Sequence, residues 1–182
     1  MMMVWTSIFV GWAAILFLSG WVFWIVRQEF RSDRIVSLLY HRIVARDFYD
    51  GLTGSERIFS LPVDRFREQL EWLKAKGFAF VSLDQIVDHL GNGTPLPAKP
   101  VFINFDDGCE SVYSVALPIL KELKIPSTVF VTTDENPWIF HEPDKYVERR
   151  MTEEEIRACE EGGIAVESHA VSHRSLREMK AE

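Results

Sequence analysis

The chain has 182 residues, 47% of them hydrophobic, and a formal net charge of −7, which fits one globular domain with a short appendage. Every charged side chain lies beyond residue 26, and this acidic remainder lacks the basic excess that nucleic-acid binding requires. We therefore expect no nucleic-acid partner, and these numbers leave the oligomeric state open.

The N-terminal segment, residues 4–26, is uncharged and consists mainly of large apolar residues. About 20 such residues span the hydrocarbon core of a bilayer as a helix. Trp5 near one end, with Trp21 and Trp24 near the other, follows the aromatic belts of membrane proteins. We therefore predict one transmembrane helix, with a cleaved signal peptide or a buried core helix as the alternatives.

Beyond a polar linker that ends near residue 34, apolar runs typical of strands alternate with amphipathic stretches typical of helices. We predict strands at residues 35–40, 78–81, 101–105, 127–131 and 164–166. We predict helices at residues 64–76, 82–90, 111–123 and 152–161, and loops at residues 45–60, 91–100 and 132–150. This alternation predicts a parallel sheet covered by helices. The chain then divides into a membrane anchor with its linker, residues 1–34, and an α/β domain, residues 35–182.

Three of the predicted helices begin at a residue whose side chain can cap the first turn, namely Asp64, Ser82 and Thr152. Thr152 with Glu155 has the spacing of a capping box. Pro118 lies inside another predicted helix and, because it lacks an N–H group, predicts a kink or a late start there.

The end of the sequence carries a further expectation. Five strands of a barrel would leave an edge with unpaired backbone groups, and residues 175–182 resemble the first turn of another helix. We therefore expect that the chain is a fragment or needs a partner to close its sheet.

Two polar clusters directly follow apolar strands. Asp106 and Asp107 lead from one strand into Gly108, and His169 and His173 follow a later one. Active sites of parallel α/β folds lie at the carboxyl ends of the strands. One carboxylate and two imidazoles form a three-ligand site for Zn²⁺, Fe²⁺, Co²⁺ or Mn²⁺, and the second carboxylate can act as a base. The pattern predicts metal-assisted hydrolysis, although geometry alone leaves open which aspartate has which role.

These motifs resemble those of the polysaccharide deacetylase family, also described as the NodB homology domain or carbohydrate esterase family 4. Residues 104–108 (Asn-Phe-Asp-Asp-Gly) resemble its first motif, and residues 168–173 (Ser-His-Ala-Val-Ser-His) resemble its second. Supporting stretches lie at residues 39–42, 66–73, 118–121 and 125–131. The chain looks most like the family members that act on poly-N-acetylglucosamine.

The resemblance implies a distorted (β/α) barrel of NodB type, incomplete at its C-terminus and preceded by the transmembrane helix. It implies a divalent metal, zinc foremost with cobalt, nickel, manganese or iron as alternatives, held by Asp107, His169 and His173. It also implies Asp106 as the catalytic base and the backbone N–H of Cys109 as an oxyanion donor. The reaction would remove acetyl groups from an N-acetylated sugar polymer.

Two further residues are candidates for substrate contact. His41 follows the first predicted strand and could line the cleft, although a structural hydrogen-bonding role fits it equally well. Trp138 lies in the long loop at residues 132–150, and sugars stack well on such rings.

The resemblance leaves two other functions open. The family's later motifs, which include its general acid, have no counterpart in this sequence. A catalytically incomplete NodB-like module that binds glycan or a partner is therefore the alternative to the enzyme. A different metal hydrolase on an α/β scaffold is the third.

The membrane orientation rests on two opposing arguments. Arg27, Arg31 and Arg34 follow the hydrophobic segment, and the positive-inside rule then favours a cytoplasmic domain. A polysaccharide substrate favours the other side. We give the substrate more weight and predict a single-pass membrane protein with an extracytoplasmic catalytic domain.

Overall fold

The computed structural model describes residues 17–24, 34–133, 138–140 and 148–172. Contacts divide the chain into two compact units, Met1–Arg34 and Ile35–Glu182. In the first unit, residues 17–24 are helical. The predicted transmembrane helix lies for the most part outside the described residues, and none of the described helices is long and apolar enough to cross a membrane.

The second unit is built from strands that alternate with helices. The strands are β1 (Val36–Tyr40), β2 (Arg42–Val44), β3 (Ser60–Pro62), β4 (Ala79–Phe80), β5 (Pro100–Phe105), β6 (Ser127–Val131), β7 (Trp138–Phe140), β8 (Glu148–Arg149) and β9 (Ile164–Ser168). The helices are α1 (Arg46–Gly51), α2 (Gly54–Ile58), α3 (Val63–Ala75), α4 (Leu83–Asn92), α5 (Leu117–Leu123) and α6 (Glu153–Glu161), and a π-helical segment, Val112–Ala116, leads into α5.

Five of these strands form one parallel sheet in the order β1-β5-β6-β9, with β4 paired to the start of β5. The register aligns Tyr40 with Phe105, Phe105 with Val129, and Val131 with Ser168. The carboxyl ends of β1, β5, β6 and β9 therefore lie along one edge. The predicted parallel α/β sheet is confirmed. The described strands follow an open path from β1 to β9, so the closed barrel stays a prediction.

The central strand β5 is buried at all six positions, as its nearly continuous apolar sequence predicts. Helix α3 packs into the core through Phe66, Leu70 and Leu73. The Phe66 ring lies 5.2 Å from the Tyr40 ring and 5.9 Å from the Phe105 ring, measured between centroids. This aromatic cluster lies beneath the carboxyl ends of β1 and β5, where the candidate site is located.

The predicted irregularity at Pro118 is confirmed. The π-helical segment ends where the Leu117 N–H donates to the Val112 carbonyl, five residues back, and α5 begins there with the proline in its first turn. Because Pro118 cannot donate a backbone hydrogen bond, a regular helix cannot pass through this point undisturbed.

The capping predictions were right for two helices and wrong for one. Ser82 with Gln85 and Thr152 with Glu155 both form complete capping boxes. Asp64 is not a cap, since α3 begins after Pro62 and Asp64 lies in its first turn. Its carboxylate instead accepts a hydrogen bond from the Arg46 guanidinium, a partner 18 positions away.

The predicted loop at residues 45–60 was wrong, because α1, α2 and the start of β3 lie there. Buried Arg42 holds this region together by donating to Ser60 Oγ at 2.6 Å and to the Glu56 carbonyl at 3.0 Å. The predicted loop at residues 132–150 also contains structure, the short antiparallel pair β7 and β8. The first of these regions therefore depends on Arg42, which lies 14 and 18 positions from its two partners.

Candidate active site

The first half of the candidate site is the turn that follows β5. The Asp106 N–H donates to the Tyr40 carbonyl at 3.0 Å, which ties the turn to the end of β1. Asp107 and Gly108 then adopt positive φ angles of 69° and 74°. A left-handed conformation suits glycine best, is visited by aspartate more readily than by most other residues, and often occurs where function or packing requires it. This turn reverses the strand alternation that would otherwise send the two carboxylates to opposite faces.

Gly108 is required by space as well as by φ. A Cβ atom at this position would lie 3.0 Å from Val131 Cγ1 on the neighbouring strand β6. The Gly108 carbonyl accepts a hydrogen bond from the Met151 N–H at 2.9 Å. The turn is therefore pressed between the end of β6 and the segment that precedes α6.

The second half of the site follows β9. The His169 N–H donates to the Val131 carbonyl at 2.7 Å, and the Ala170 carbonyl accepts from the Thr133 N–H at 3.2 Å. Ala170 has a positive φ of 63°. Residues 169–172 are not helical. His173 lies outside the described residues.

The two halves meet around the imidazole of His169. Its Nε2 atom lies 3.6 Å from Asp107 Oδ1 and 3.9 Å from Asp106 Oδ2. These separations exceed normal hydrogen-bond lengths. The 3.6 Å separation fits two ligands of one ion, since zinc lies about 2.0–2.2 Å from nitrogen and oxygen ligands. The structure thus brings together three of the four side chains predicted for the site.

Burial distinguishes the two aspartates. The Asp107 side chain is 8% exposed, the Asp106 side chain 18% and the His169 side chain 29%. A buried carboxylate needs a compensating partner, and a metal ion is one such partner. A base that receives a proton from water needs solvent access. This difference is consistent with Asp107 as ligand and Asp106 as base.

The described residues do not by themselves complete a metal centre. Within residues 34–133, 138–140 and 148–172 no group of three or more His, Cys, Asp or Glu side chains is arranged to hold a metal ion. The predicted third ligand, His173, lies outside these ranges. The donor set of one carboxylate and one imidazole nevertheless has the chemistry that zinc and similar divalent metals bind.

Cys109 lies where the turn meets the segment before α6. It forms an isolated antiparallel bridge with Arg150, and its carbonyl accepts from the Val112 N–H at 2.9 Å. Its side chain is fully buried in the core. The backbone of Cys109 therefore lies beside the two aspartates, and its oxyanion role stays a prediction.

The sequence analysis missed the contribution of residues 148–151. Arg149 donates to both carboxylate oxygens of Glu155 at 2.7 Å, and one of its nitrogens lies 3.6 Å from Glu110. Arg150 and Met151 pair with the β5 turn as described above. The adjacent arginines before a capping box were the only sequence signal for this segment, and they do not reveal partners 39–43 positions earlier in the chain.

The two predicted substrate contacts lie in different parts of the unit. His41 directly follows β1, and its ring lies 4.8 Å from the Phe59 ring in a pocket of about 220 Å³. Burial raises the pKa of the adjacent Tyr40 to about 12, so its hydroxyl stays neutral and donates to Gln69 at 3.0 Å. Trp138 lies in β7 opposite Arg149, and its side chain lies outside the described set.

Comparison with known sequences identifies the family. Residues 93–182 match the sequence profile of polysaccharide deacetylases. A poly-β-1,6-N-acetyl-D-glucosamine N-deacetylase of Staphylococcus epidermidis is 33% identical over 114 residues, which are 59% of this chain and 39% of that protein. One of Staphylococcus aureus is 31% identical over 137 residues, 70% of this chain and 46% of that protein. The chain thus spans less than half the length of these curated relatives.

Solved structures show the same fold. IcaB from Ammonifex degensii is 28% identical, with a TM-score of 0.61 over 76% of this chain and 54% of that one. The Streptococcus pyogenes deacetylase PplD has the same TM-score at 24% identity, over 80% of this chain and 60% of that one, and supports the fold alone. The predicted family resemblance is confirmed, and the chain belongs to the polysaccharide deacetylase family.

Proposed function

We propose that this chain carries the metal-binding half of a polysaccharide deacetylase that removes acetyl groups from poly-β-1,6-N-acetyl-D-glucosamine. The observation that carries the proposal is the meeting of Asp106, Asp107 and His169 at one edge of the sheet. We take the substrate from the two staphylococcal relatives, which are poly-β-1,6-N-acetyl-D-glucosamine N-deacetylases. The proposed fold of the whole domain is a distorted (β/α) barrel, of which the described sheet would be one part.

We assign the metal ligands to Asp107, His169 and His173. Zinc suits this set best, with cobalt, nickel, manganese or iron as alternatives. When bound, the ion would supply Lewis-acid polarisation of the acetamido carbonyl and a more acidic water. The assignment predicts that alanine at any of the three positions weakens zinc binding about tenfold or more, measured by titration calorimetry of the purified chain.

The chain's own residues would act around that carbonyl. Asp106, which is more exposed than Asp107, accepts a proton from the attacking water as general base. The backbone N–H of Cys109 would donate to the carbonyl oxygen as negative charge develops on it. The positive φ of Asp107 and the hydrogen bond from Asp106 to Tyr40 hold both carboxylates in place before substrate arrives.

Acetate release tests the function directly. The full chain would be treated with a chelator, reloaded with Zn²⁺ or Co²⁺, and incubated with a β-1,6-linked N-acetylglucosamine oligomer. We expect metal-dependent release that Asp106→Asn lowers by about 10²–10⁴-fold, the contribution of a general base. Asp84→Asn, on the exposed first turn of α4, is the matched control and should leave the rate unchanged.

Two results would count against this function. Full activity after complete metal removal would contradict the metal role, and an unchanged rate in Asp106→Asn would contradict the base. Oligomer binding without any acetate release would instead favour the alternative, a NodB-like module that binds glycan.

The same proposal places the domain outside the cytoplasm, attached to the membrane by residues 4–26. This localisation is supported by the uncharged, tryptophan-flanked sequence of that segment and by the polysaccharide substrate of the relatives. A reporter enzyme fused after residue 182, active only outside the cytoplasm, tests the orientation. Reporter activity is expected in the membrane fraction, and a cytoplasmic signal would contradict the prediction.

A further inference from the structure

We propose that the pocket at the carboxyl end of β1 binds a sugar ring of the polymer beside the one that loses its acetyl group, with Phe59 as its stacking surface. The proposal rests on the proposed function for the identity of the polymer. It assigns a glycan subsite to a segment, residues 58–61, that contributes nothing to the metal site.

The pocket lies beside the candidate active site because the two are at the carboxyl ends of neighbouring strands. Tyr40 pairs with Phe105, so His41 and Asp106 are the residues that directly follow two neighbouring parallel strands. The hydrogen bond from the Asp106 N–H to the Tyr40 carbonyl fixes this neighbourhood. Adjacent strands lie about 4.8 Å apart. A polymer whose acetamido group reaches Asp106 can therefore place a neighbouring sugar in the pocket.

The pocket has the composition that a pyranose needs. Phe59 is 37% exposed with its ring against His41, and Ile58 is 79% exposed at the rim. Gln69 and Tyr40, whose hydroxyl donates to Gln69, also line the pocket and provide polar groups. A sugar ring presents an apolar C–H face and a rim of hydroxyl groups, and ligand sites commonly combine aromatic surface with a few polar groups.

The size of the pocket limits its occupant. Its volume of about 220 Å³ lies below the range of about 300–1,000 Å³ for complete small-molecule sites. A single ring fits this volume better than a longer stretch of polymer does.

The backbone that carries the two apolar side chains is firmly held. Arg42 donates to Ser60 Oγ and to the Glu56 carbonyl, and the Ser60 hydroxyl also donates to the Glu56 carbonyl. These contacts are buried. Ile58 and Phe59 thus stay exposed on a fixed support, and a binding surface prepared in this way loses little entropy when it is occupied.

The test compares Phe59→Ala and Phe59→Trp in the full chain. Calorimetry would measure binding of a β-1,6-linked glucosamine oligomer, which has no acetyl group to lose. Phe59→Ala removes the stacking ring and should weaken binding about tenfold. Phe59→Trp keeps an aromatic ring and should bind like the wild type. Leu90→Ala, an exposed apolar residue of α4 that does not line the pocket, is the matched control and should bind like the wild type.

A kinetic comparison separates this inference from the proposed function. In Phe59→Ala, kcat/KM for the N-acetylated oligomer should fall about tenfold relative to kcat/KM for 4-nitrophenyl acetate, mainly through KM. An equal fall for both substrates, or oligomer binding that Phe59→Ala does not change, would overturn the subsite. Failure of the wild type to release acetate, with Phe59-dependent oligomer binding intact, would overturn the proposed function and leave the subsite standing.

Discussion

The carboxyl ends of β5 and β9 both deliver side chains to the candidate site, yet the protein holds them in different ways. The turn after β5 is fastened to β1, β6 and the segment before α6, and Asp107 within it is nearly buried. The segment after β9 forms one backbone hydrogen bond with Val131 at the end of β6 and one with Thr133 just beyond it, and Val171 within the segment is exposed.

This difference suggests that the two halves of the site are held with different firmness. The carboxylates are part of the packed core, so their positions are fixed by folding itself. The backbone of His169 is bonded to Val131 at the end of β6, and its side chain is more exposed than either carboxylate. Changes that loosen the β5 turn should therefore affect both stability and activity, whereas changes after β9 should have smaller effects on stability.

The largest expected effect comes from the support beneath β5. Phe66→Ala removes a fully buried ring that packs against Tyr40 and Phe105 and should lower the free energy of unfolding by about 3–5 kcal/mol. On β9 itself, Val166→Ala removes a smaller, half-buried side chain and should cost about 1–2 kcal/mol. Urea unfolding of both variants measures the difference. Equal costs would contradict the contrast between the two strand ends.

The second test concerns the turn itself. Gly108→Ala places a Cβ atom against Val131 at a φ of 74° and should cost about 1–3 kcal/mol, with loss of acetate release as the aspartates shift. Gly93, which ends α4, has the same φ of 74° and no atom within 4 Å of a Cβ position. Gly93→Ala should therefore destabilise the fold only through its unfavourable φ angle. A Gly108→Ala variant no less stable than Gly93→Ala would show that the contact with Val131 is unimportant.

These two regions also show what the sequence could predict. The five strands of the main sheet, the helix caps at Ser82 and Thr152 and the disturbance at Pro118 depend on residues within a few positions of one another, and all were predicted. The placement of Asp106 and Asp107 at a strand end followed from the apolar run before them.

Features set by distant partners were not predictable from local pattern. Arg42 and Arg46 bind residues 14–18 positions away, so local pattern predicts neither α1 and α2 nor the role of Asp64. The non-helical path after His169 follows from backbone bonds to Val131 and Thr133.

The third test concerns the ion pair between Glu155 of α6 and Arg149, which lies in the segment that pairs with the β5 turn. The Arg149 guanidinium holds the pKa of the Glu155 carboxyl below its usual range, so the ion pair stabilises the folded state above the ordinary carboxyl pKa and is lost as the pH falls through the lowered value. Glu155→Gln keeps an oxygen for the capping box but removes the charge. It should cost about 0.5–1 kcal/mol at pH 7 and progressively less below pH 4.5, the ordinary value.

Unfolding measured across this pH range checks the expectation. Glu153 forms an exposed pair with Arg157 on the same helix, and Glu153→Gln should leave stability unchanged at every pH. A cost in Glu155→Gln that persists at low pH would mean that shape rather than charge is responsible.

The smallest expected effect has the opposite sign and lies after β9. Ala170 has a φ of 63°, a conformation that costs a residue with a Cβ atom about 1–2 kcal/mol. Glycine avoids that cost but loses about 0.5–1 kcal/mol of chain entropy, so Ala170→Gly should stabilise the fold by about 0.5–1 kcal/mol. Ala165→Gly, an exposed position within β9, carries the entropy loss alone and should destabilise by a similar amount. Opposite shifts of the two urea midpoints would show that the strain after β9 is local, whereas equal destabilisation would mean that Ala170 is not strained.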